Sequence, residues 1–121
     1  MTEIRHNFKE LKVWQKSMEF VKSTFLQTKK FPIDERFELV SQMRRSAISI
    51  PSNIAEGSGR NSNKDFIRFL NIALSSAYEL ETQIIISFNL EYMNEEDYKV
   101  NLEDLQEIQK MTYGLRRSIL E

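Results

Sequence analysis

The chain has 121 residues, 40% of them hydrophobic and 29% charged, and a formal net charge of −1. That length suits one domain with its own core, so residues 1–121 are read as a single domain. With no cysteine and a lone His6, the chain is excluded from disulfides, thiolate metal sites, a cysteine nucleophile, a histidine triad and a multi-histidine metal centre.

Turn signals divide the chain into four helical stretches. The first runs from Leu11 to Lys30. Trp14, Met18, Val21 and Phe25 recur at spacings of 4, 3 and 4, which makes one apolar face. Lys29 and Lys30 suit its C-terminal end, and Phe31-Pro32 stops it, because the residue before proline is pushed out of the helical region. Residues 1–10 read as an N-terminal arm.

Asp34 is a good N-cap for the second stretch, with Glu35 and Glu38 in its first turn. Phe37, Val40, Met43, Ala47, Ile50 and Ile54 carry its stripe. Pro51 removes the donor to the Ala47 carbonyl, so a kink is expected there. The stripe keeps its phase across the proline, which predicts one bent helix through Glu56 rather than two. Gly57-Ser58-Gly59 ends it, with Gly57 suited to a left-handed position just past the end.

Ser62 opens the third stretch, and Asp65 follows three residues later like a capping box with a short acid. Phe66, Leu70, Ala73, Ala77, Leu80, Ile84 and Phe88 are spaced by 4, 3, 4, 3, 4 and 4. That unbroken pattern predicts a helix from Asn63 to Leu90, about 40 Å long. Asn94 caps the fourth stretch, whose first turn holds Glu95, Glu96 and Asp97. Its stripe is Tyr98, Leu102, Leu105, Ile108, Met111, Leu115 and Ile119, and Arg116 and Arg117 lie near its end. The short links predict antiparallel neighbours, hence an all-α, up-down four-helix bundle with helix 2 kinked at Pro51. The 3 Gly and 2 Pro are too few for a sandwich or barrel. No apolar run reaches the roughly 20 residues that span a bilayer. The start, Met1 to His6, lacks the apolar segment of a signal peptide, so the expected location is cytoplasmic with no membrane partner.

Charge is uneven along the chain. Residues 1–33 carry +4, 34–61 carry 0, 62–93 carry −2 and 94–121 carry −3. A basic first helix beside an acidic fourth would attract weakly in the closed bundle, or the polarity could select a partner. Residues 44–68 hold 5 basic groups and 2 acidic ones. One reading makes them ion pairs, Arg44 or Arg45 with Glu79 or Glu81, and Glu56 with Arg68. The other makes Arg60, Lys64 and Arg68 a phosphate-binding patch at the helix 2–3 turn, with Arg44 and Arg45 contributing. No interleaved aromatics suggest base stacking, so nucleic-acid contact would be to the backbone.

No enzyme chemistry emerges. Gly57-Ser58-Gly59-Arg60 lacks the spacing of a phosphate loop. Glu79 and Glu81, two apart on a helix, face different ways. Di-metal bundle sites need Glu-x-x-His pairs, and Ser49, Ser52 and Ser58 have no histidine to activate them. No cofactor or small-molecule substrate is indicated. A second apolar set suggests either a wide core-facing stripe or an oligomer interface: Ile67, Phe69, Leu74 and Ile85 on helix 3, Phe20 and Leu26 on helix 1, Leu39 and Ile48 on helix 2.

Several runs occur together in order. They are Leu11-x-Val13-Trp14-Gln15-Lys16, Phe31-Pro32-x-x-Glu35, Gln42-x-Arg44-Arg45-Ser46-Ala47-x-Ser49-Ile50-Pro51-Ser52-Asn53-Ile54-Ala55-Glu56-Gly57 and Gly59-Arg60. Phe66-x-x-Phe69-Leu70-x-x-Ala73-x-x-Ser76 and Glu79-Leu80-Glu81-Thr82-Gln83 follow. Across nearly its whole length the chain resembles the bacterial four-helix bundle family, also called the 23S rRNA intervening-sequence protein or S23 ribosomal protein family. The resemblance implies an up-down bundle assembled as a ring-shaped homopentamer, and a link to RNA. Some family members are encoded inside intervening sequences of large-subunit ribosomal RNA genes. A distant branch, the accessory variability protein of diversity-generating retroelements, binds a reverse transcriptase and nucleic acid. That branch is strongly basic, whereas this chain has a pI near 5.9. The expected function is a non-enzymatic, homo-oligomeric scaffold or adaptor touching RNA or a nucleic-acid-binding protein. The alternative is a protein-interaction module that binds no nucleic acid.

Overall fold

The computed structural model describes residues 7–120. Its helices are α1 (Lys12–Thr28), α2 (Leu39–Ser58), α3 (Asn63–Asn89) and α4 (Glu95–Leu120), with short 3-10 turns at Phe8–Glu10 and Ile33–Glu35. The described residues contain no strand. Cross-helix contacts run in opposite directions along each pair. Ser46 meets Glu79 while Ser49 meets Ser76, Asn71 meets Arg116 while Tyr78 meets Tyr113, and Lys16 meets Glu107 while Gln27 meets Asp97. The fold is therefore the expected antiparallel four-helix bundle. The α2–α3 pair packs most extensively and the α1–α4 seam is the thinnest. Among the described residues, no helix is long and apolar enough to cross a membrane.

The stripes of α2 and α3 go where their periodicity sends them. Val40, Met43, Ala47, Ile50 and Ile54 bury against Phe66, Leu70, Ala73, Ala77, Leu80 and Ile84. The last aromatic of the α3 stripe, Phe88, stacks on Tyr98 with ring centroids 4.1 Å apart. Leu105 and Ile108 of α4 complete the centre. Caps form as the sequence suggests: Ser62 Oγ accepts from the Asp65 amide at 3.1 Å, and Asn94 Oδ1 accepts from the Asp97 amide at 2.7 Å. Pro51 is buried inside α2, which continues unbroken through it.

Three sequence expectations change. First, α1 is rolled about its axis. Its buried side is Val13, Ser17, Phe20, Thr24 and Thr28, while Trp14, Val21 and Phe25 are half-buried and Met18 is 45% exposed. The hydroxyls can face the core because each bonds to its own helix: Ser17 to the Trp14 carbonyl, Thr24 to that of Phe20, Thr28 to that of Thr24. Satisfied this way, they carry little desolvation cost and let α1 approach closely.

Second, α2 starts at Leu39, and Phe37, expected in its stripe, is 80% exposed. Asp34 and Glu35 belong instead to a 3-10 turn. Phe31 is buried and lies 5.5 Å from the Tyr92 ring, and Tyr92 donates its hydroxyl to Glu35 Oε2 at 2.7 Å. The acid expected in the first turn of α2, Glu35, is thus engaged in a tertiary contact, and Asp34, expected to cap that helix, lies five residues before its start. Third, Gly57 is a helical residue within α2, and no described glycine has a positive φ.

Of the second apolar set, Phe20, Phe69 and Leu74 are buried, Ile67 and Leu39 are half-buried, and Leu26, Ile48 and Ile85 are exposed. At the N-terminus, Asn7 caps the first 3-10 turn through a bond from the Lys9 amide, and Phe8 meets Trp14 edge-on at 5.1 Å. His6 and the rest of the arm lie outside the described residues.

Candidate functional site

The turn between α2 and α3 brings two of the candidate cations together on one aromatic ring. Arg60 sits just past the end of α2, and Arg68 lies on the second turn of α3. Their guanidinium carbons lie 4.7 Å and 4.5 Å from the centroid of Phe69. Phe69 is 6% exposed, so the ring is a fixed base for both groups. A guanidinium over an aromatic face is attracted by the ring quadrupole and keeps its edge donors free. Phe69 is held there because α3 lies directly against Gly57 of α2.

Each arginine also has an acid. Arg60 bonds Glu56 Oε2 at 2.9 Å, and Arg68 lies 3.7 Å from Asp65. Both are local pairs, i,i+4 and i,i+3, so the expected Glu56–Arg68 bridge between helices is not formed. The pairs are solvent-exposed, with Arg60 and Arg68 side chains 42% and 59% accessible, so each contributes about 0–1 kcal/mol and yields readily to another anion. Lys64 is exposed and makes no ion pair among the described residues. At the start of α3 the Asp65 amide is taken by Ser62 and the Asp65 carboxylate stands nearby. Of the amides in the first turn of α3, that of Asp65 is thus already taken by its own cap.

Arg44 and Arg45 part company. Arg44 turns to α1, donating from Nε to Thr28 Oγ1 at 3.0 Å and from Nη2 to the Phe25 carbonyl at 3.5 Å. Its guanidinium carbon lies 4.5 Å from the Phe25 ring centroid. It thus closes the C-terminal turn of α1, where a cation complements the helix dipole. Arg45 is exposed and unpaired among the described residues. The acids expected to meet them have neutral partners: Glu79 accepts from Ser46 Oγ at 2.6 Å, and Glu81 accepts from Gln109 Nε2 at 2.8 Å. The i,i+2 spacing does send the two glutamates to different neighbours.

Residues outside the sequence-level patch share its end of the bundle. Arg116 Nη1 donates to Asn71 Oδ1 at 2.7 Å and lies 4.7 Å from the Tyr113 ring centroid. Tyr113 shares a 2.6 Å hydroxyl–hydroxyl bond with Tyr78, which raises the Tyr78 pKa above its ordinary value. Lys110 and Arg117 flank them in an open groove with Gly114. In the sequence Arg116 and Arg117 stand out only as cations near the end of the fourth helix. Their proximity to the α2–α3 turn follows from the antiparallel register, which no local pattern encodes.

That register also sorts charge along the bundle axis. Segments 7–16, 54–70 and 108–120 meet at one end and hold nine basic and three acidic side chains. Segments 24–43 and 85–103 meet at the other and hold four basic and eight acidic ones. Counting by helix hides this polarity, because every helix runs from one end to the other. Between α1 and α4 the attraction is modest: Lys16 lies 3.3 Å from Glu107, and Gln27 bonds Asp97 at 3.3 Å. Among the described residues, no three acidic or histidine side chains converge as metal ligands would.

A family model described as 23S rRNA-intervening sequence protein matches residues 9–114. A solved structure from Bacteroides thetaiotaomicron VPI-5482, described as a protein with unknown function from the S23 ribosomal protein family, is similar at 33% identity. That likeness covers 87% of this chain and 95% of the other, with a TM-score of 0.80. No curated protein matches the sequence.

Proposed function

This chain belongs to the 23S rRNA-intervening sequence protein family, and from that premise we propose that it is a non-enzymatic, self-associating cytoplasmic scaffold that contacts RNA through backbone phosphates at the basic end of its bundle. The observation that carries this reading is the pair of guanidiniums stacked on Phe69, with unpaired Lys64 beside them. Stacking fixes the two forks without using their donors, and exposed carboxylates are weak competitors for a phosphate. Arg116 and Arg117 extend the same surface. The name of the matching family links it to ribosomal RNA. Self-association is supported by large apolar side chains left in water, among them Leu26 at 54%, Ile48 at 44% and Ile72 at 39% exposed. A ring-shaped homopentamer is the assembly that the resemblance implies.

The test is RNA retention by the purified protein at about 50 and about 200 mM salt, with light scattering on the same sample. An oligomer whose RNA affinity falls steeply with salt supports the proposal. Absence of binding at the lower salt overturns the RNA contact, and a monomer mass overturns the scaffold.

A second reading, a protein-interaction module without nucleic acid, is favoured by the local neutralisation of Arg60 and Arg68 by Glu56 and Asp65. It predicts an oligomer that binds a polypeptide partner with little salt dependence.

A further inference from the structure

The attraction between basic α1 and acidic α4 is largely unused within one copy. Lys16 meets Glu107 and Gln27 bonds Asp97 along their shared seam. On the outward side of α1 and its C-cap, Lys22, Leu26 and Lys29 follow at spacings of 4 and 3. Glu96, Val100 and Glu103 repeat those spacings on the outward side of α4. All six are exposed, Leu26 by 54% and Val100 by 52%. None of the four charges forms an ion pair among the described residues. Each stripe is thus one apolar side chain between two like charges, and the two stripes have opposite sign.

Given the self-association proposed above, on which this rests, we propose that the stripes join copies of this chain, α1 of one lying along α4 of the next. Antiparallel alignment sets Lys22 of one copy against Glu103 of the next, Leu26 against Val100 and Lys29 against Glu96. Exposed ion pairs are individually weak, so the leucine and valine supply most of the affinity, while the charges select the partner and the register. A parallel alignment also matches the signs, but it would leave the first half of α1 beyond the start of α4.

Heights agree as well. Inside one copy α1 and α4 are antiparallel, with Lys16 level with Glu107 and Gln27 with Asp97. Copies joined by antiparallel stripes therefore run in the same direction. Standing side by side, they bring Lys22 and Glu103, and Lys29 and Glu96, within one helical turn of equal height. Past Glu107 the outward side of α4 turns basic, with Lys110 and Arg117, so the contact stops there. Unlike surfaces meet, so the contact repeats from copy to copy. Every basic end then points the same way, and Arg60, Lys64 and Arg68 at the α2–α3 turn stay open.

The test is sedimentation velocity over a dilution series, with circular dichroism on each sample to check the helices. Lys22→Glu with Lys29→Glu should weaken self-association about a hundredfold, because like charges then face each other, and Glu96→Lys with Glu103→Lys should do the same. All four substitutions together restore opposite signs and should bring back the mass of the unaltered protein. Lys29→Ala alone leaves the other contacts in place and should change the mass little. Leu26→Asn should weaken association about tenfold, and it decides the matter if a reversed variant does not fold. Folded double variants that keep the full mass, a fourfold variant that stays dissociated, or an unaffected Leu26→Asn would each overturn this surface while self-association stands. A monomeric unaltered protein would overturn self-association itself, and this surface with it.

Discussion

A methyl group placed on Gly57 would lie 2.7 Å from Phe69 Cβ and 3.0 Å from the Phe66 ring. α2 and α3 therefore touch at the root of a side chain, not at a flexible tip, and relief requires the helices to separate. Alanine would gain about 1 kcal/mol of helix propensity and lose about 1–3 kcal/mol to overpacking. Gly57→Ala is expected to lower stability by up to about 2 kcal/mol in urea denaturation. Gly59→Ala, whose new methyl would find its nearest neighbour at an ordinary 3.7 Å, serves as the control. A more stable Gly57→Ala would show that the helices can part freely.

Gly114 has the opposite surroundings. It lies inside α4 with nothing within 4 Å of an added Cβ. Gly114→Ala should stabilise the protein by about 0.5–1 kcal/mol through helix propensity and a less flexible unfolded chain. A thermal melt checks this, and a lower melting temperature would contradict the open surroundings.

The neighbours Arg44 and Arg45 should separate in stability measurements. Arg44→Ala removes the bond to Thr28 and the stack on Phe25, for an expected loss of about 1–2 kcal/mol. Arg45→Ala should change stability by less than about 0.5 kcal/mol. Equal effects would argue against the capping role of Arg44.

Replacing both Arg60 and Arg68 with alanine tests the proposed RNA surface. Retention should fall and the salt slope should drop by about two, one for each lost phosphate contact. Folding stability should move by no more than about 1 kcal/mol, because the broken ion pairs are exposed. Lys29→Ala, at the other end of the bundle, should leave retention alone. Unchanged retention in the double variant would remove the patch from consideration.

Alkaline pH should weaken the anchor of the α1–α2 connection. The Tyr92 pKa is raised above its ordinary 10.0, first because its hydroxyl donates to Glu35 and then through desolvation and the Glu35 charge. The folded state thus holds the phenolic proton more tightly than the unfolded chain. The stability this contributes is complete below the ordinary value and is lost as pH rises through the higher folded pKa. Tyr92→Phe should flatten that alkaline limb in melts taken across the range. An unchanged limb would assign it to other groups, Tyr78 first among them.

The sequence was most legible where burial is made of apolar side chains. The α3 stripe stands out because six of its seven members reach the core. α1 was misread by a quarter-turn because hydropathy scores Ser17, Thr24 and Thr28 as outward-facing. Their bonds to their own helix, invisible in a residue count, make them acceptable inside. The start of α2 misled because Asp34 and Glu35 fit a local cap, while the bond to Glu35 comes from Tyr92, distant in sequence. Gly57 was noticed for the conformational freedom glycine allows, but its role is to lack a Cβ. At the candidate site, Arg60, Lys64 and Arg68 were found from sequence proximity. Phe69 beneath the arginines and Arg116 and Arg117 beside them follow from packing and register instead.

The uneven interior has a consequence for how the molecule comes apart. Nine residues of α2 and ten of α3 are buried, against five each in α1 and α4. Three of the five in α1 carry hydroxyls that keep their bonds when the helix leaves. Detaching α1 therefore exposes less of the core than parting α2 from α3, and strands few polar groups. Backbone amides of α1 should exchange with solvent through partial openings well below the free energy of global unfolding, while those at the α2–α3 seam wait for the whole fold to open. The molecule is in this sense a durable central hairpin carrying two looser outer helices.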